Sequence, residues 1–353
     1  MLRTASGRMR VAWVVAIGLC GAAPAAGDRP KALSASDRLV AENVLLYQRE
    51  TGGWPKNYDR KEELTAARRA GILKDRSKRD SMIDNGATHT EIRLLADAYG
   101  KTRDERFAKA ALRGIRYLLA GQYDNGGWPQ RFPDPRGYAR HITFNDNAMI
   151  GVMSLLSNVA HDGEAFGFVP DDVRRRCREA VQRGLQCILK CQIRVNGKLT
   201  AWCAQHDEGT YAPRKARSYE LASISGAESV GIVRFLMQID KPSDEVVAAI
   251  EAAVAWFERS KLRGIKVVRV KDATKPKGSD RVVVHDPAAA PMWARFYDIQ
   301  SNRPIFCSRD GIPRRTLAEI SHERRNGYSW LGYYAQRLLE RDLPAWRRRL
   351  GRS

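Results

Sequence analysis

The sequence predicts an all-α fold, an incomplete (α/α) toroid of helical hairpins with a small, irregular, β-containing C-terminal lobe. Three observations predict it. Apolar residues recur at helical spacing over much of the chain; TGGWPKNY, Thr51 to Tyr58, returns as NGGWPQRF, Asn125 to Phe132; and the character of the sequence changes near residue 260. Apolar stripes of this period mark amphipathic helices, and a helix-pair unit that recurs along the chain marks stacked or circularly arranged hairpins rather than a sheet.

In chain order, residues 1–26 read as a cleavable secretory signal. Arg3, Arg8 and Arg10 precede an apolar run from Val11 to Leu19, followed by the small residues Ala22-Ala23-Pro24-Ala25-Ala26. The run is too short to span a bilayer. Leu19 before Cys20 is a poor lipoprotein cleavage site, so no membrane anchoring is expected and the destination is secreted or periplasmic. Loss of the three arginines takes the formal net charge from +21 to +18. A balance this basic favours a polyanionic partner. For an exported protein that partner is acidic polysaccharide, not nucleic acid. With 353 residues and 43% hydrophobic content the chain buries a full core, which excludes a disordered protein. Five cysteines remain, Cys177, Cys187, Cys191, Cys203 and Cys307; an odd number cannot all pair, and none has a zinc-site neighbour at the required spacing.

Helices are read from the stripes Ile92, Leu95, Ala96, Tyr99; Phe107, Ala111, Ile115, Leu118; Met149, Val152, Met153, Leu156; and Val246, Ile250, Val254, Phe257. The recurring unit is helix, Gly-Gly-Trp-Pro loop, then an Asp-Asn that opens the next helix: Asp84-Asn85 before the Ile92 stripe, Asp146-Asn147 before the Met149 stripe. Glycine supplies backbone freedom in such a turn and proline ends the preceding helix. Trp54 and Trp128 either anchor repeat against repeat or stack on a sugar ring. Beyond residue 260, IKVVRV (Ile265 to Val270) and RVVVH (Arg281 to His285) flank a turn segment and read as a β-hairpin. Residues 286–311 lack a helical period and read as extended loop, and a final helix is placed over roughly Tyr328 to Glu340.

Asp84 and Asp146 occupy matching places in the two repeats. Singly each suits a helix cap, whose side-chain oxygen accepts free backbone N–H groups. Repeated on one rim, the two carboxylates suit either glycoside hydrolysis or a hard cation such as calcium. Their neighbours are cationic: Arg214, Lys215 and Arg217, then Arg295, Arg303 and Arg309, set among Trp293, Phe296, Tyr297 and Phe306. Guanidinium forks of this kind match carboxylates on a sugar chain. His206, beside Asp207, reads as structural, and Lys215 as a solvated charge.

Taken together, GGWPKN, DNGATHTEI, GGWPQRFP, ITFNDNAMIGVM, TAWCAQHD, ARSYELASISGAESVGIVRFLM, NRPIFCSRDG and ERRNGYSWLG, in this order from about residue 38 to 340, resemble the catalytic module of the family 10 polysaccharide lyases, which are pectate lyases. The resemblance implies a toroid that cleaves polygalacturonate by calcium-assisted β-elimination. It places the catalytic base on Arg309, an assisting arginine on Arg295, a substrate-carboxylate ligand on Arg217, and calcium and substrate contacts on Asp84 and Asp146. Asn85, Arg303, Trp54 and Trp128 complete the expected substrate-binding set. Residues 27–353 would then form one catalytic domain, a helical lobe over 27–260 and a smaller lobe over 261–353, acting as a monomer. An arginine base is awkward, because a free guanidinium stays protonated up to pH ~12 or higher; nearby cations disfavour its charged form, and an alkaline optimum follows. Two other classes fit the residues less well: an inverting glycoside hydrolase using Asp84 and Asp146, and a non-catalytic acidic-glycan-binding protein.

Overall fold

The structure, a computed structural model, describes residues 32–161 and 163–351; the signal segment lies outside them. The first eight helices are α1 (Ala35–Tyr47), α2 (Ala66–Lys74), α3 (His89–Thr102), α4 (Glu105–Ala120), α5 (Ala148–His161), α6 (Asp171–Cys191), α7 (Glu228–Met237) and α8 (Asp244–Arg259). They pack as two rows. In one row α3 lies between α1 and α5, and α5 touches α7; in the other, α4 and α6 continue from α1 to α8. Within each hairpin α3 packs on α4, α5 on α6 and α7 on α8, so the apolar stripes face one continuous core.

The repeat extends beyond the two Gly-Gly-Trp-Pro copies. Trp54, Trp128 and Trp202 are each 74 residues apart. Each is buried in the loop after a helix, and its indole N–H donates back to that helix: Trp54 to Val44 O of α1 (2.7 Å), Trp128 to Leu118 O of α4 (2.8 Å), Trp202 to Ile188 O of α6 (2.7 Å). Trp293 makes the fourth such bond, to Phe257 O of α8 at 2.9 Å. A buried indole needs a partner for its one donor, and the last helical turn has free carbonyls to offer. A glutamine repeats too. Gln48, Gln122 and Gln192 each donate through Nε2 to a carbonyl of their own loop and to one on the helix of the next unit, Ala110, Ala180 and Ala249. The first glycine of each Gly-Gly pair is obligatory: Gly52 and Gly126 have φ +97° and +91°, and a Cβ there would stand 2.7 and 2.1 Å from Arg113 O and Arg183 O. Trp54 and Trp128 are therefore anchors. At 0% and 1% exposure neither offers a ring face to a sugar, which corrects their expected place in substrate binding.

The all-α toroid expectation is also corrected. Thirteen strands form six small sheets among the described residues. The expected hairpin is present as Ile265–Lys271 against Ser279–His285. The other strands are two-residue segments in the long loops, including the three-stranded set Ile142–Thr143, Gln205–His206 and Pro213–Arg214. Two residues carry no readable alternation, so the sequence gives no sign of their pairing, within residues 286–311 or before them. Beyond the hairpin lie α9 (His322–Gly327), a wide π-helical turn over Leu338–Asp342, and α10 (Leu343–Arg349). The last helical segment thus starts and ends later than expected. Pro344, in the first turn of α10 where its missing N–H costs nothing, lets the helix restart after the wide turn. Leu338, Leu343 and Trp346 join the main core, and Arg234 of α7 pairs with Asp342 at 2.7 Å. A second apolar cluster, with Tyr219, Phe296, Phe306 and Trp330, lies under the loops that carry the arginines.

Candidate active site

Two tight turns open the rim. Asp84–Gly86 leads into α3 and Asn145–Asn147 into α5, and the turns pack against each other. Asn85 (φ 51°) and Asp146 (φ 49°) hold the same left-handed position, tolerable for Asn and Asp side chains. The backbone therefore matches Asp84 with Asn145 and Asn85 with Asp146, one residue out of the register that the paired Asp-Asn suggested. Neither aspartate caps its turn. Asp84 is 1% exposed and ion-paired with Lys56 of the GGWPKN loop, its Oδ1 without a partner. Asp146 is exposed and reaches Arg295 Nη2 at 3.0 Å.

Arg295 is held by its backbone from two sides. Phe296–Tyr297 pairs with Ile224–Ser225, Trp293–Ala294 pairs with Leu331–Gly332, and Arg295 lies between, its N–H on Trp330 O (2.7 Å) and its carbonyl on Gly226 N (2.9 Å). Its guanidinium meets Asn145 Oδ1 at 3.2 Å, Asp146, and the buried carboxylate of Glu228 at the start of α7, and lies 4.8 Å over the Tyr328 ring. Burial lowers its pKa, but Glu228, Tyr328 and Asp146 outweigh burial and hold it above the usual arginine value. Arg295 is a fixed cation. The Asn145–Asn147 turn packs closely on α7 at Gly231, where a Cβ would fall 1.9 Å from Asn147 Oδ1.

The second cluster surrounds Tyr219. Arg217 donates to its hydroxyl at 2.8 Å, and the guanidinium carbons of Arg324, Arg309 and Arg217 lie 4.5, 5.8 and 6.0 Å from its ring centre. Arg309, on the exposed loop after the Phe306–Cys307 strand, makes two bonds to Glu323, 3.2 and 2.9 Å long. Hydrogen bonds from Arg324 and Arg309 push the Glu323 carboxyl down to about 2. The hydrogen bond to Tyr219 is the chief cause raising the pKa of Arg217. Tyr219 meets Tyr328 edge to face at 5.4 Å, so one aromatic bridge joins the Arg217, Arg309 and Arg324 cluster to Arg295. Arg303 stands apart, exposed on the loop beside Asp298. His206 is structural: it accepts from Cys203 N–H through Nε2 and its Nδ1 contacts Tyr211 O (2.8 Å), while burial pushes its pKa down to about 4.

Sequence reasoning missed Lys56, Asn145, Tyr219, Glu228, Glu323, Arg324 and Tyr328. The signal for Glu228 was Trp202, whose 74-residue spacing from Trp128 marks a third unit, with Glu228 at the start of the helix that follows it, as Asp84 and Asn145 stand ahead of α3 and α5. The donors at the rim fit a hard cation: oxygens of Asp84, Asp146, Asn85 and Asn145, one of them buried and unpartnered. A tighter group, His141, Asp207 and Glu208, also has metal-binding geometry. Its oxygens already serve Arg214, Arg140, His141 and the backbone N–H groups of Gly209 and Thr210. The five described cysteines are buried and unpaired.

Arginines gathered over buried aromatic rings, with carboxylates on the neighbouring turns and helical hairpins beneath, are a site suited to anionic groups. The pectic acid lyase family model matches residues 48–339. The family 10 polysaccharide lyase from Cellvibrio cellulosa superposes with a TM-score of 0.74 at 36% identity, over 86% of this chain and 91% of that one. A mutant of that lyase in complex with trigalacturonic acid matches at the same TM-score and identity, over 86% and 92%. No curated protein matches the chain in sequence. The chain belongs to the pectic acid lyase family, within polysaccharide lyase family 10, and is a pectate lyase. Among the described residues no helix is long and apolar enough to cross a membrane.

Proposed function

We propose that the enzyme is exported and cleaves α-1,4-linked polygalacturonate by calcium-assisted β-elimination with an arginine base, acting as the neutral guanidine. The observation that carries this reading is the convergence of Arg217, Arg309 and Arg324 on Tyr219, one aromatic ring away from the fixed cation Arg295. The base removes the proton at C5 of a galacturonate; its electron pair forms the C4–C5 double bond as the C4–O bond breaks, and the departing oxygen takes a proton. The C5 proton is too weak an acid unless the charge spreading onto the adjacent carboxylate is stabilised. Arg295, charged and held by Glu228, supplies that stabilisation where the charge develops. Asp84 and Asp146, with Asn85, would hold calcium, which when bound adds positive charge against the uronate carboxylate.

The resemblance nominates Arg309 as base. Its guanidinium must first leave two bonds to Glu323, whereas Arg217 bonds a neutral hydroxyl and stands 3.7 Å from the nearer oxygen of Glu220. The bond to Tyr219 holds the pKa of Arg217 above the usual arginine value, so Arg217 stays charged, which suits a ligand of the uronate carboxylate and leaves the part of base to Arg309. Export is supported by the leader pattern of residues 1–26 and by the basic charge that suits pectate. The test is ultraviolet absorbance of the unsaturated uronide from polygalacturonate, with and without chelator. We expect product that rises toward alkaline pH and falls on chelation. Arg295→Ala should lose about 10²–10³ in kcat, and Arg309→Ala should lose more in kcat than Arg217→Ala. New reducing ends without absorbance would make the enzyme a hydrolase; equal rates for Arg217→Ala, Arg309→Ala and the parent would remove the arginine base.

A further inference from the structure

The β-hairpin after α8 is not used by the chemistry above, yet one of its side chains reaches the same cleft. Arg281 and Arg295 line a single cavity of about 280 Å³, together with Asn326, Gly327, Tyr328 and Ser329. No carboxylate is among these residues. Arg281 donates through Nη1 to Tyr328 O at 3.1 Å, which aims the guanidinium at the cavity wall and leaves its other donors uncommitted. Burial pushes the Tyr334 hydroxyl up to about 12, against the opposing pull of both Arg295 and Arg281.

Across the hairpin the register sets Arg269 directly opposite Arg281. Like charges in that relation are destabilising. The adjacent carboxylate, Asp280, is already bound by Arg325, Asn326 and the backbone N–H of Arg281, and the Arg269 side chain donates to the Ser279 hydroxyl at 3.1 Å. Among the described residues neither Arg269 nor Arg281 has an ion-pair partner within 4.0 Å, while Arg295 beside them has two. A pair of unneutralised arginines leading out of a cleft that takes a polyanion calls for an anion from the ligand.

We propose that this cavity is an additional uronate subsite, in which Arg281 grips the carboxylate of a sugar beyond the one held at Arg295, with Arg269 continuing the positive strip along the hairpin. The proposal rests on the polygalacturonate reading above and deepens it. Steady-state kinetics by unsaturated-product absorbance test it, using the full-length protein with polygalacturonate and a series of galacturonate oligomers. Arg281→Ala should raise KM for the polymer about tenfold with a smaller change in kcat, and the effect should shrink with the shortest oligomer cleaved. Arg281→Lys, which keeps the charge but loses the fork, should recover part of the loss and carries the test where the alanine variant folds poorly. Lys241→Ala, an exposed lysine on the loop before α8, controls for the loss of one charge and should leave KM unchanged. The subsite is overturned if Arg281 variants keep the parental KM at every chain length. Absence of unsaturated product from the parent itself would instead overturn the lyase reading.

Discussion

At the scale of single residues, Arg295 shows why type and position are separate questions. Its guanidinium bonds Asp146, 149 residues away, and Glu228, 67 residues away. A cation so enclosed stays charged, which suits the carboxylate-holding part proposed for it rather than that of base. His206 is the opposite case, a titratable group that the fold keeps neutral. Its folded pKa, about 4, lies below the ordinary value of 6.5, so the unfolded chain takes up the proton first as pH falls. Stability from this residue is complete above about pH 6.5 and declines through the window down to pH 4, by up to about 3 kcal/mol at 1.36 kcal/mol per unit. Urea unfolding at pH 7, 5.5 and 4 should show the decline beginning above the range in which carboxylates titrate. A His206→Gln variant should show a flatter profile over the same range.

The repeated loop is where local chemistry becomes architecture. Each unit ties its loop to the helix behind it by an indole bond and to the next unit by a glutamine, so consecutive turns are set at the same height on the rim. Gln192 is buried, and its two bonds satisfy Thr200 O and Ala249 O, both at 2.9 Å. Gln192→Ala should leave Thr200 O unpaired and take the second bond from Ala249 O, which keeps its intrahelical partner, and should cost about 1–3 kcal/mol, read as a lowered urea midpoint at unchanged m. Gln122, only half-buried, should cost less on the same change. The strand pairs do a related job for the C-terminal loops: pairing on both sides of Arg295 presents its side chain to the Glu228 turn with little freedom to swing.

For the molecule as a whole, the basic balance, +21 for the full chain and +18 without Arg3, Arg8 and Arg10, bears on substrate approach as well as on binding. The kcat/KM for polygalacturonate should fall steadily as ionic strength rises from about 0.01 to 0.5 M, because the Debye length shortens from about 30 Å to under 5 Å over that range. A salt-independent rate would mean that the basic surface plays no part in capture. How much of this was legible in the sequence differs by feature. The helical stripes, the Gly-Gly-Trp-Pro turns, the hairpin and the family motifs are local patterns, set by backbone preference and side-chain period, and the sequence alone determined them. The two-residue strands escaped notice because pairing that short leaves no period. The one-residue offset between Asp84 and Asp146, the enclosure of Arg295 by Glu228, and the gathering of Arg217, Arg309 and Arg324 on Tyr219 were decided only by the tertiary structure. Each depends on segments brought together by packing across the chain, and the strength of an ion pair follows from distance and burial, which no spacing in sequence records.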